Sequence, residues 1–481
     1  RGNGVPVDGF PVTTPAVTQP ALQSTGGPFY EGIVGTPAVG DIDGDGLPEV
    51  VVGTLGGSVV AWNHDGSPVD GFPFHILGRT PEELDNGSAY DNSIVAAPTL
   101  GDVDGDGVVE LVVSGNDQRL YVLDGTGALL PGYPLELCMD TCGYRAIASP
   151  SVGDIDGDGD LDAAVPTNEV PDDGAGTLWL IDLQSATPLP GWPRSRPGLV
   201  NQSVLPVFGE GHPSPIGLVD LDGDGDLEVV SSAMLGSPAI LHHDGTTAVP
   251  LGLAADRYGD ASNLRDGAVN TFAGHPGLGD MDGDGVADLV LGGGTPNYLL
   301  SLAARSMQPF DHAVGGWSGA TGEYLSGWPR QNDDVAFLHA PGIADITGDG
   351  VPEALFGSSG FHLNAWDHTG AAAPGWPKNL GGWILSGPAL GDIDGDGFLD
   401  VVISVRNGFV FAFRTDGRAD QAVGWAMNHH DAHNSGFYGT PLLQQAGPVE
   451  VETQPECGCQ SGGSSGWLWL GLPLLWLRRR R

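Results

Sequence analysis

Short apolar runs separated by turn residues recur along most of the 481 residues. EVVVG at residues 49–53 is followed by SVVAW at residues 58–62, and ELVVSG, DLVLGG and DVVISV repeat the pattern further along. β-Branched and aromatic residues favour strands, and the glycine and proline between them favour turns. No long stretch has the 3.6-residue period of a helix. The pattern predicts an all-β protein of many short strands.

An acidic nine-residue pattern precedes these runs. It has acids at positions one, three, five and nine and glycine at positions four and six. Such regular recurrence at irregular, domain-scale intervals is typical of a repeat architecture with variable loops. The seven copies begin at Asp41, Asp102, Asp154, Asp220, Asp280, Asp345 and Asp392.

Carboxylates on alternate positions of a tight loop can converge on one hard cation. Calcium accepts six to eight oxygen ligands in a flexible geometry, whereas so many preset ligands disfavour magnesium. We assign the four acids as side-chain ligands and the residue at position seven as a backbone carbonyl ligand, for up to seven calcium ions. The glycines should adopt positive φ. The predicted metal ligands are Asp41, Asp43, Asp45, Leu47, Glu49, Asp102, Asp104, Asp106, Val108, Glu110, Asp154, Asp156, Asp158, Asp160, Asp162, Asp220, Asp222, Asp224, Asp226, Glu228, Asp280, Asp282, Asp284, Val286, Asp288, Asp345, Thr347, Asp349, Val351, Glu353, Asp392, Asp394, Asp396, Phe398 and Asp400.

Two details refine this assignment. Thr347 replaces the second acid of the sixth loop, which is therefore predicted to bind calcium most weakly. An EF-hand begins in the same way but needs an acid at position twelve and flanking helices. Position twelve is Val52 in the first loop and Val113 in the second, and strand-like runs flank both. Metal-free acidic turns are the alternative that the sevenfold recurrence disfavours.

Each loop is predicted to join the first two strands of a four-stranded unit. A third strand follows, and then a shorter fourth strand next to a Gly-aromatic-Pro motif, such as residues 132–134 and 191–193. Repeated four-stranded antiparallel sheets that bury both faces against their neighbours form a β-propeller.

The repeats resemble the FG-GAP or VCBS repeats of integrin α-chain propellers and bacterial secreted proteins, over residues 34 to 413. The resemblance implies that the seven loops lie on one face of the disc and act as calcium clips rather than as catalytic centres. We expect a propeller over residues 1–445 with seven blades, closed by strand exchange between the termini. Residues 4–12 repeat the fourth-strand motif of residues 66–74, and Gly424–Trp425 is counted as the last copy of this motif. Eight blades are the alternative if part of a blade precedes Arg1.

A different composition follows the repeats. Residues 446–466 read as a flexible linker with Cys457 and Cys459, and residues 467–481 as an apolar stretch ending in four arginines. The apolar stretch is too short for a membrane span of about 20 residues. The order of cysteine pair, small-residue spacer, apolar stretch and arginines resembles the C-terminal sorting tails of myxobacterial surface proteins. The resemblance implies export, an anchoring role for Cys457 or Cys459, and membrane contact through the tail alone. A disulfide is the alternative for this pair.

The remaining cysteines, Cys138 and Cys142, are predicted to form a small-loop disulfide, consistent with an oxidising compartment. The net charge of −43 excludes nucleic acid as a partner. We expect a monomer whose ligand is a protein or a glycan. Residues before the first strands form a candidate ligand face near the channel mouth, namely Tyr144, His212, His275, His339 and Trp383.

The cluster NHHDAHNSGFY at residues 428–438 could bind zinc through its histidines. Its place directly after the last repeat favours a structural, ring-closing role. No catalytic residues are predicted, because the paired carboxylates are explained by calcium. The expected function is adhesion or recognition at the cell surface, and the alternative is a polysaccharide lyase or lectin on the same scaffold. Candidate lyase residues are Arg145, Arg257 and Arg265.

Overall fold

The computed structural model describes residues 9–16, 30–78, 92–137, 144–145, 148–169, 177–195, 212, 214–232, 235–236, 238–251, 269–272, 274–294, 312–334, 339–421, 423–439 and 442. The chain separates into two units, Arg1–Gln445 and Ala446–Arg481. All four cysteines, Arg257, Arg265 and the tail lie outside the described residues, so the roles given to them above stay predictions. In the part of the chain that is described, no helix is long and apolar enough to cross a membrane.

Seven antiparallel sheets, blades one to seven, follow one another along the chain. The first four blades each pair four strands in order. Blade one has β1 Ala38–Gly40, β2 Glu49–Gly53, β3 Ser58–Trp62 and β4 Phe74–His75; blade two has β5 Thr99–Gly101, β6 Glu110–Gly115, β7 Arg119–Leu123 and β8 Leu135–Glu136; blade three has β10 Ser151–Gly153, β11 Asp162–Pro166, β13 Thr177–Asp182 and β14 Thr187–Pro188; blade four has β16 Gly217–Val219, β17 Glu228–Ser231, β19 Ala239–Leu241 and β20 Thr247–Val249.

The last three blades differ at their edges. Blade five has β22 Gly277–Gly279, β23 Asp288–Gly294, β24 His312–Trp317 and β25 Arg330–Asn332; blade six has β26 Gly342–Ala344, β27 Glu353–Gly357, β28 His362–Trp366 and β29 Lys378–Asn379. Among the described residues, blade seven has three strands, β30 Ala389–Gly391, β31 Phe398–Ser404 and β32 Val410–Arg418. The additional strands are β9 Tyr144–Arg145, β12 Asn168–Glu169, β15 Arg194–Ser195, β18 Leu235–Gly236, β21 Asn270–Phe272 and β33 Val423–Trp425.

The middle strands of blades two to six are apolar on both faces because a neighbouring blade covers each face, and those of blade one are covered by blade two on one side and by a small apolar cluster on the other. In blade one, Val51 and Val59 are fully buried in a cluster with Leu111 of blade two, and Val52 and Val60 point to the opposite side. This explains the continuous apolar runs EVVVG and SVVAW, which do not alternate as a half-exposed sheet would. The predicted all-β class with four-stranded antiparallel blades is confirmed.

A single segment, residues 423–438, runs along the innermost strands of the blades, and we call it the central segment. Its carbonyl oxygens accept hydrogen bonds from the middle residue of the first strand in blades seven, one, two, three and four. Trp425 pairs with Ile343 of blade six, and Gly424 lies against Leu278 of blade five. The five backbone bonds are Leu390 N–H to Ala426 at 2.7 Å, Val39 to Ala432 at 2.8 Å, Leu100 to His433 at 2.9 Å, Val152 to Ser435 at 2.8 Å and Leu218 to Gly436 at 2.9 Å.

Two expectations about the ends of the repeats need correction. Gly424–Trp425, counted as the fourth strand of the last blade, instead forms β33 and pairs with β26 of blade six. Among the described residues β32 pairs only with β31, and residues 9–16 add no strand to blade seven. The predicted exchange of strands between the termini is therefore not found there. The local Gly-Trp motif is misleading because the open inner edge of blade six provides a competing partner.

Candidate metal centres

Each acidic loop lies between the first and second strands of its blade, as predicted. In blade one the loop connects Gly40 to Glu49, which face each other across the first strand pair. The position-four and position-six glycines adopt positive φ, with values of 75° at Gly44 and 86° at Gly46. The first loop therefore closes on itself between two strands, and no EF-hand helices flank it.

The acid at position nine has the same hydrogen bond in every loop. One of its oxygens accepts the backbone N–H of the residue at position two, which fixes the carboxylate beneath the loop. The bonds are Ile42 to Glu49 at 3.0 Å, Val103 to Glu110 at 2.7 Å, Ile155 to Asp162 at 2.8 Å, Leu221 to Glu228 at 2.7 Å, Met281 to Asp288 at 2.9 Å, Ile346 to Glu353 at 2.9 Å and Ile393 to Asp400 at 3.1 Å. Seven identical bonds indicate one structural role.

Several carboxylate oxygens in these loops are buried without a hydrogen-bond donor. They include Glu49 Oε1, Asp102 Oδ1, Asp154 Oδ1 and Asp156 Oδ1. A buried carboxylate oxygen with no partner is costly unless a cation or proton neutralises it. These oxygens fit a bound cation.

The spacing of the carboxylates also suits an ion. In the first four loops three ligand atoms lie within 4.8 Å of one another, and the sets are Asp41, Asp43 and Asp45; Asp102, Asp104 and Glu110; Asp154, Asp156 and Asp162; and Asp220, Asp222 and Asp224. Hard oxygen ligands in this number are the donor set that calcium prefers. The structure therefore contains several acidic clusters that could bind metal ions.

The loop backbone orients the acids at positions one, three and five. Asp41 accepts the N–H groups of Gly44 at 2.8 Å and Gly46 at 2.9 Å. Asp43 accepts from Asp45 at 3.1 Å, and Asp45 in turn accepts from Leu47 at 2.8 Å. Each carboxylate oxygen has two lone pairs, so one bond to the backbone leaves capacity for an ion.

Burial changes the acidity of the position-nine acids. Desolvation raises the pKa of Glu110, Asp288 and Glu353 to about 7 and that of Asp162 to about 8, and nearby aspartates add to the shift. The pKa values of Glu49, Glu228 and Asp400 are raised for the same reason. Without a cation, burial therefore shifts these carboxyl groups toward the protonated form. A bound cation would replace the proton.

The sixth loop differs from the others in one contact. The Thr347 hydroxyl donates to Glu353 Oε1 at 3.0 Å, while Glu353 Oε2 accepts from Ile346. Both oxygens of this position-nine acid therefore already have a donor. This contact gives a physical reason for the predicted weakness of the sixth loop, which itself stays a prediction.

The fourth loop has a neighbour that the spacing of acids did not reveal. His242 Nδ1 lies 3.0 Å from Glu228 Oε1, and its ligand atom groups with those of Asp222 and Glu228. His242 stands at the end of the third strand of blade four, where the corresponding residue of blade one is Asn63. The paired histidines in AILHHDG were the available sequence signal.

The cluster at residues 428–438 lies in the central segment, where it holds the backbone in place. His429, His430 and Asp431 are buried. Burial alone would raise the pKa of Asp431, but hydrogen bonds from His430 and from Ser435 lower it below its ordinary value. Asp431 also accepts the backbone N–H of His433 at 2.9 Å. These contacts support the structural role that was favoured over zinc binding.

The five residues of the candidate ligand face do not share one environment. His212 and His339 are almost fully buried. His275 is half-buried, and its Nδ1 lies 2.8 Å from Asn428 Oδ1 in the central segment. Tyr144 belongs to β9, but its side chain is outside the described part, as is that of Arg145. Only Trp383 is shown exposed, at 43%.

Exposed apolar side chains nevertheless collect on the face opposite the acidic loops. The turns between second and third strands and the connections between blades emerge there, because strand direction alternates within a blade. Trp383 and Leu385 lie in the connection between blades six and seven, and Phe409 lies in a turn of blade seven. The Arg406 guanidinium is 5.0 Å from the Trp383 ring, and the backbone N–H of Arg406 donates to the Trp383 carbonyl at 2.8 Å.

Comparison with known proteins agrees with this geometry. The family described as FG-GAP-like repeat matches residues 41–113 and 102–165, which contain the first three loops. The first three loops are therefore similar to those of FG-GAP-like repeats. The solved structure of the Dos1 propeller is 13% identical, covers 84% of this chain and 83% of its own, and has a TM-score of 0.50, which shows the propeller fold alone.

Two further solved structures resemble this chain more weakly. BamB from Moraxella catarrhalis is 15% identical over 81% of this chain and 88% of its own, with a TM-score of 0.45. The V. cholerae biofilm matrix protein Bap1 is 15% identical over 83% of this chain and 90% of its own, with a TM-score of 0.39. No curated protein matches the sequence.

Proposed function

We propose that the protein is an extracellular, calcium-stabilised β-propeller that presents its inter-blade loops for adhesion or for recognition of a protein or glycan at the cell surface. The observation that carries this proposal is the repeated position-nine carboxylate. One oxygen is fixed by the backbone of position two, and in the first loop the other, Glu49 Oε1, is buried without a donor.

Calcium has a structural role in this proposal. A cation held by Asp41, Asp43, Asp45 and Glu49 would tie the loop to the first residue of β2 and neutralise the crowded carboxylates. Extracellular calcium modules often work at about 10⁻⁴ to 10⁻³ M, so such clips would be filled outside the cell. The clips stabilise the blades and leave the opposite face for recognition.

The exposed aromatic and cationic pair on that opposite face supports recognition. Trp383 and Arg406 are in contact through their backbones and side chains, which preorganises both for a ligand. An indole ring can pack against the C–H groups of a sugar ring or against a protein side chain. The central segment fills the inner edges of the blades, so recognition is assigned to the loops.

Calorimetric titration of the chelated full chain with calcium tests the metal role. We expect about seven ions, with weak binding in the range given above, and a large rise in melting temperature. Magnesium at the same concentration is the control and should give a much smaller rise. Absence of bound calcium would contradict the proposal.

A glycan and protein array in calcium tests recognition. Trp383→Ala should remove most binding, whereas Pro68→Ala, an exposed residue on the loop face outside the predicted ligands, should leave it unchanged. An equal loss of array binding in both variants would show that the ligand does not bind specifically at the opposite face. If the protein binds calcium but binds no glycan or protein on the array, the metal role stands and the recognition role is rejected.

A further inference from the structure

Apolar clusters join the blades at six consecutive positions around the propeller. They join blade one to two, two to three, three to four, four to five and six, and six to seven. Among the residues that the structure describes, no such cluster joins blade seven to blade one. We call the place between these two blades the open joint.

The face of blade seven at the open joint is exposed. The position-two residue of each acidic loop packs toward the following blade and is 0–8% exposed in the first six loops, but Ile393 of the seventh is 47% exposed. Val402 is partly exposed, whereas the residues at the same register in the other six blades are fully buried. Val410 on β32 is 68% exposed. In the other six blades, the residues at the positions of Ile393 and Val402 are covered by the following blade.

The opposite side of the open joint is covered by a short piece of chain. Phe10 and Val12 pack against Val52, Val60 and Trp62 of blade one. This small cluster stands where the other blades meet the four-stranded sheet of a preceding blade. Blade one therefore already contacts part of a neighbour that is not blade seven.

The close approach of Gly9 to blade one indicates what kind of structure this neighbour is. In the Gly-aromatic-Pro motif of blade one, a Cβ on Gly71 would lie 1.8 Å from the Thr126 carbonyl of blade two, and Gly327 of blade five makes the same approach to Thr369 of blade six. Gly9 approaches the Asp65 carbonyl of blade one in this way. Residues 9–12 thus occupy the fourth-strand position of a blade that precedes blade one.

The spacing of the contacts made by the central segment also differs at the open joint. The residues of the central segment that contact two neighbouring blades are one or two positions apart in the sequence. Trp425 and Ala426 contact blades six and seven, and His433 and Ser435 contact blades two and three. Between blade seven and blade one it advances from Ala426 to Ala432, with an intervening turn closed by His430 N–H to Met427 at 3.1 Å. The longest step of the central segment between neighbouring blades therefore lies at the open joint.

We propose that the open joint is the docking site of one further four-stranded blade of the same repeat type, joined in sequence to residues 9–12. This blade presents an apolar face to Ile393, Val402 and Val410 and completes an eight-bladed ring. The occupant is a blade and not a small ligand, because the exposed face matches in register the faces that blades cover at the other six joints.

The test uses the 481-residue chain and a fusion that supplies the blade. A copy of residues 31–66 is placed before Val5, so that Gly66 of the copy takes the place of Gly4 and continues into the existing fourth-strand motif. We expect the fusion to be monomeric, to melt at a higher temperature and to lose most of the binding of an apolar fluorescent dye. The matched control carries V52D and V60D in the added copy only, and should show neither change.

A second variant tests whether the exposed face of blade seven contacts the added blade. Ile393→Asp should leave the melting temperature of the 481-residue chain nearly unchanged and should lower that of the fusion. The proposal is overturned if the fusion melts like the unfused chain. It is also overturned if the unfused chain is a dimer that Ile393→Asp dissociates, because a second copy would then fill the joint.

Discussion

The two oxygens of each position-nine acid have separate roles. In Glu49 one oxygen accepts the Ile42 N–H and the other is buried without a donor. The alternating acids of the sequence predicted which residues face an ion, because carboxylate spacing is a local property. The bond to position two was not predicted, since it depends on how the loop closes over β2 in three dimensions.

Thr347→Asp should strengthen calcium binding in the sixth loop. The substitution adds a carboxylate and removes the hydroxyl that donates to Glu353 Oε1. A gain of roughly tenfold in affinity is expected at that loop, because ligand charge tunes calcium affinity. Calorimetry should show one site moving to tighter binding, and Thr347→Val, which only frees Glu353, should show no such gain. An unchanged isotherm for Thr347→Asp would contradict a metal role for this loop.

His429 should make the protein sensitive to acid. Burial lowers its pKa to about 3, against about 6.5 in the unfolded chain. Between these values the unfolded state binds more protons, so the free energy of unfolding falls as pH falls through this window. At pH 5 the loss is about 2 kcal/mol relative to neutral pH.

Chemical denaturation of wild type and His429→Gln from pH 7 to pH 5 measures this effect. The wild type should lose about 2 kcal/mol more than the variant over that range, whatever their difference at pH 7. Both proteins share all other titrating groups, so each is a control for the other. Parallel pH profiles would show that His429 carries no such linkage.

At the scale of elements, the blade is the unit that the sequence predicts best. Apolar runs, the acidic loop and the Gly-aromatic-Pro motif located the four strands of blade one correctly. Prediction failed at residues 423–425, where a Gly-Trp motif pairs with β26 instead of β32. Local pattern cannot distinguish two strand edges that both offer unpaired backbone groups.

Glu49→Gln separates the metal role of the first hairpin from its hydrogen bond. The glutamine oxygen can still accept the Ile42 N–H, whereas its amide group cannot replace the anionic ligand. We expect one fewer calcium ion per chain and a lower melting temperature in calcium, but no decrease in chelator. Asp70→Asn, an exposed acid of blade one outside the loop, is the charge-matched control. A decrease in chelator equal to that in calcium would contradict the separation.

At the scale of the whole molecule, the central segment connects blades that are far apart in sequence. Ala432 accepts from Val39 and Ala426 accepts from Leu390, and the sixteen residues 423–438 together contact the inner edges of all seven blades. Its ring-closing role was inferred from its position after the last repeat. The path around every blade was not predictable, because irregular backbone has no periodic signature.

Removal of the central segment should disrupt the propeller cooperatively. A chain ending at residue 422 leaves the first-strand N–H groups of blades seven, one, two, three and four without their acceptors, each costing about 1–3 kcal/mol if buried. A chain ending at residue 445 keeps all of these bonds. Thermal melts should show a cooperative transition for the longer chain only, and a normal transition in both would contradict the role of the segment.

The position of the central segment in the sequence also sets the order of events during synthesis. Residues 423–438 follow the last strand of blade seven, so the ribosome completes every blade before it makes the strand that joins them. Blades that emerge early therefore wait with open inner edges, which are aggregation-prone pairing surfaces. The strand order therefore places the joining of the blades by the central segment last, after every blade strand has been made.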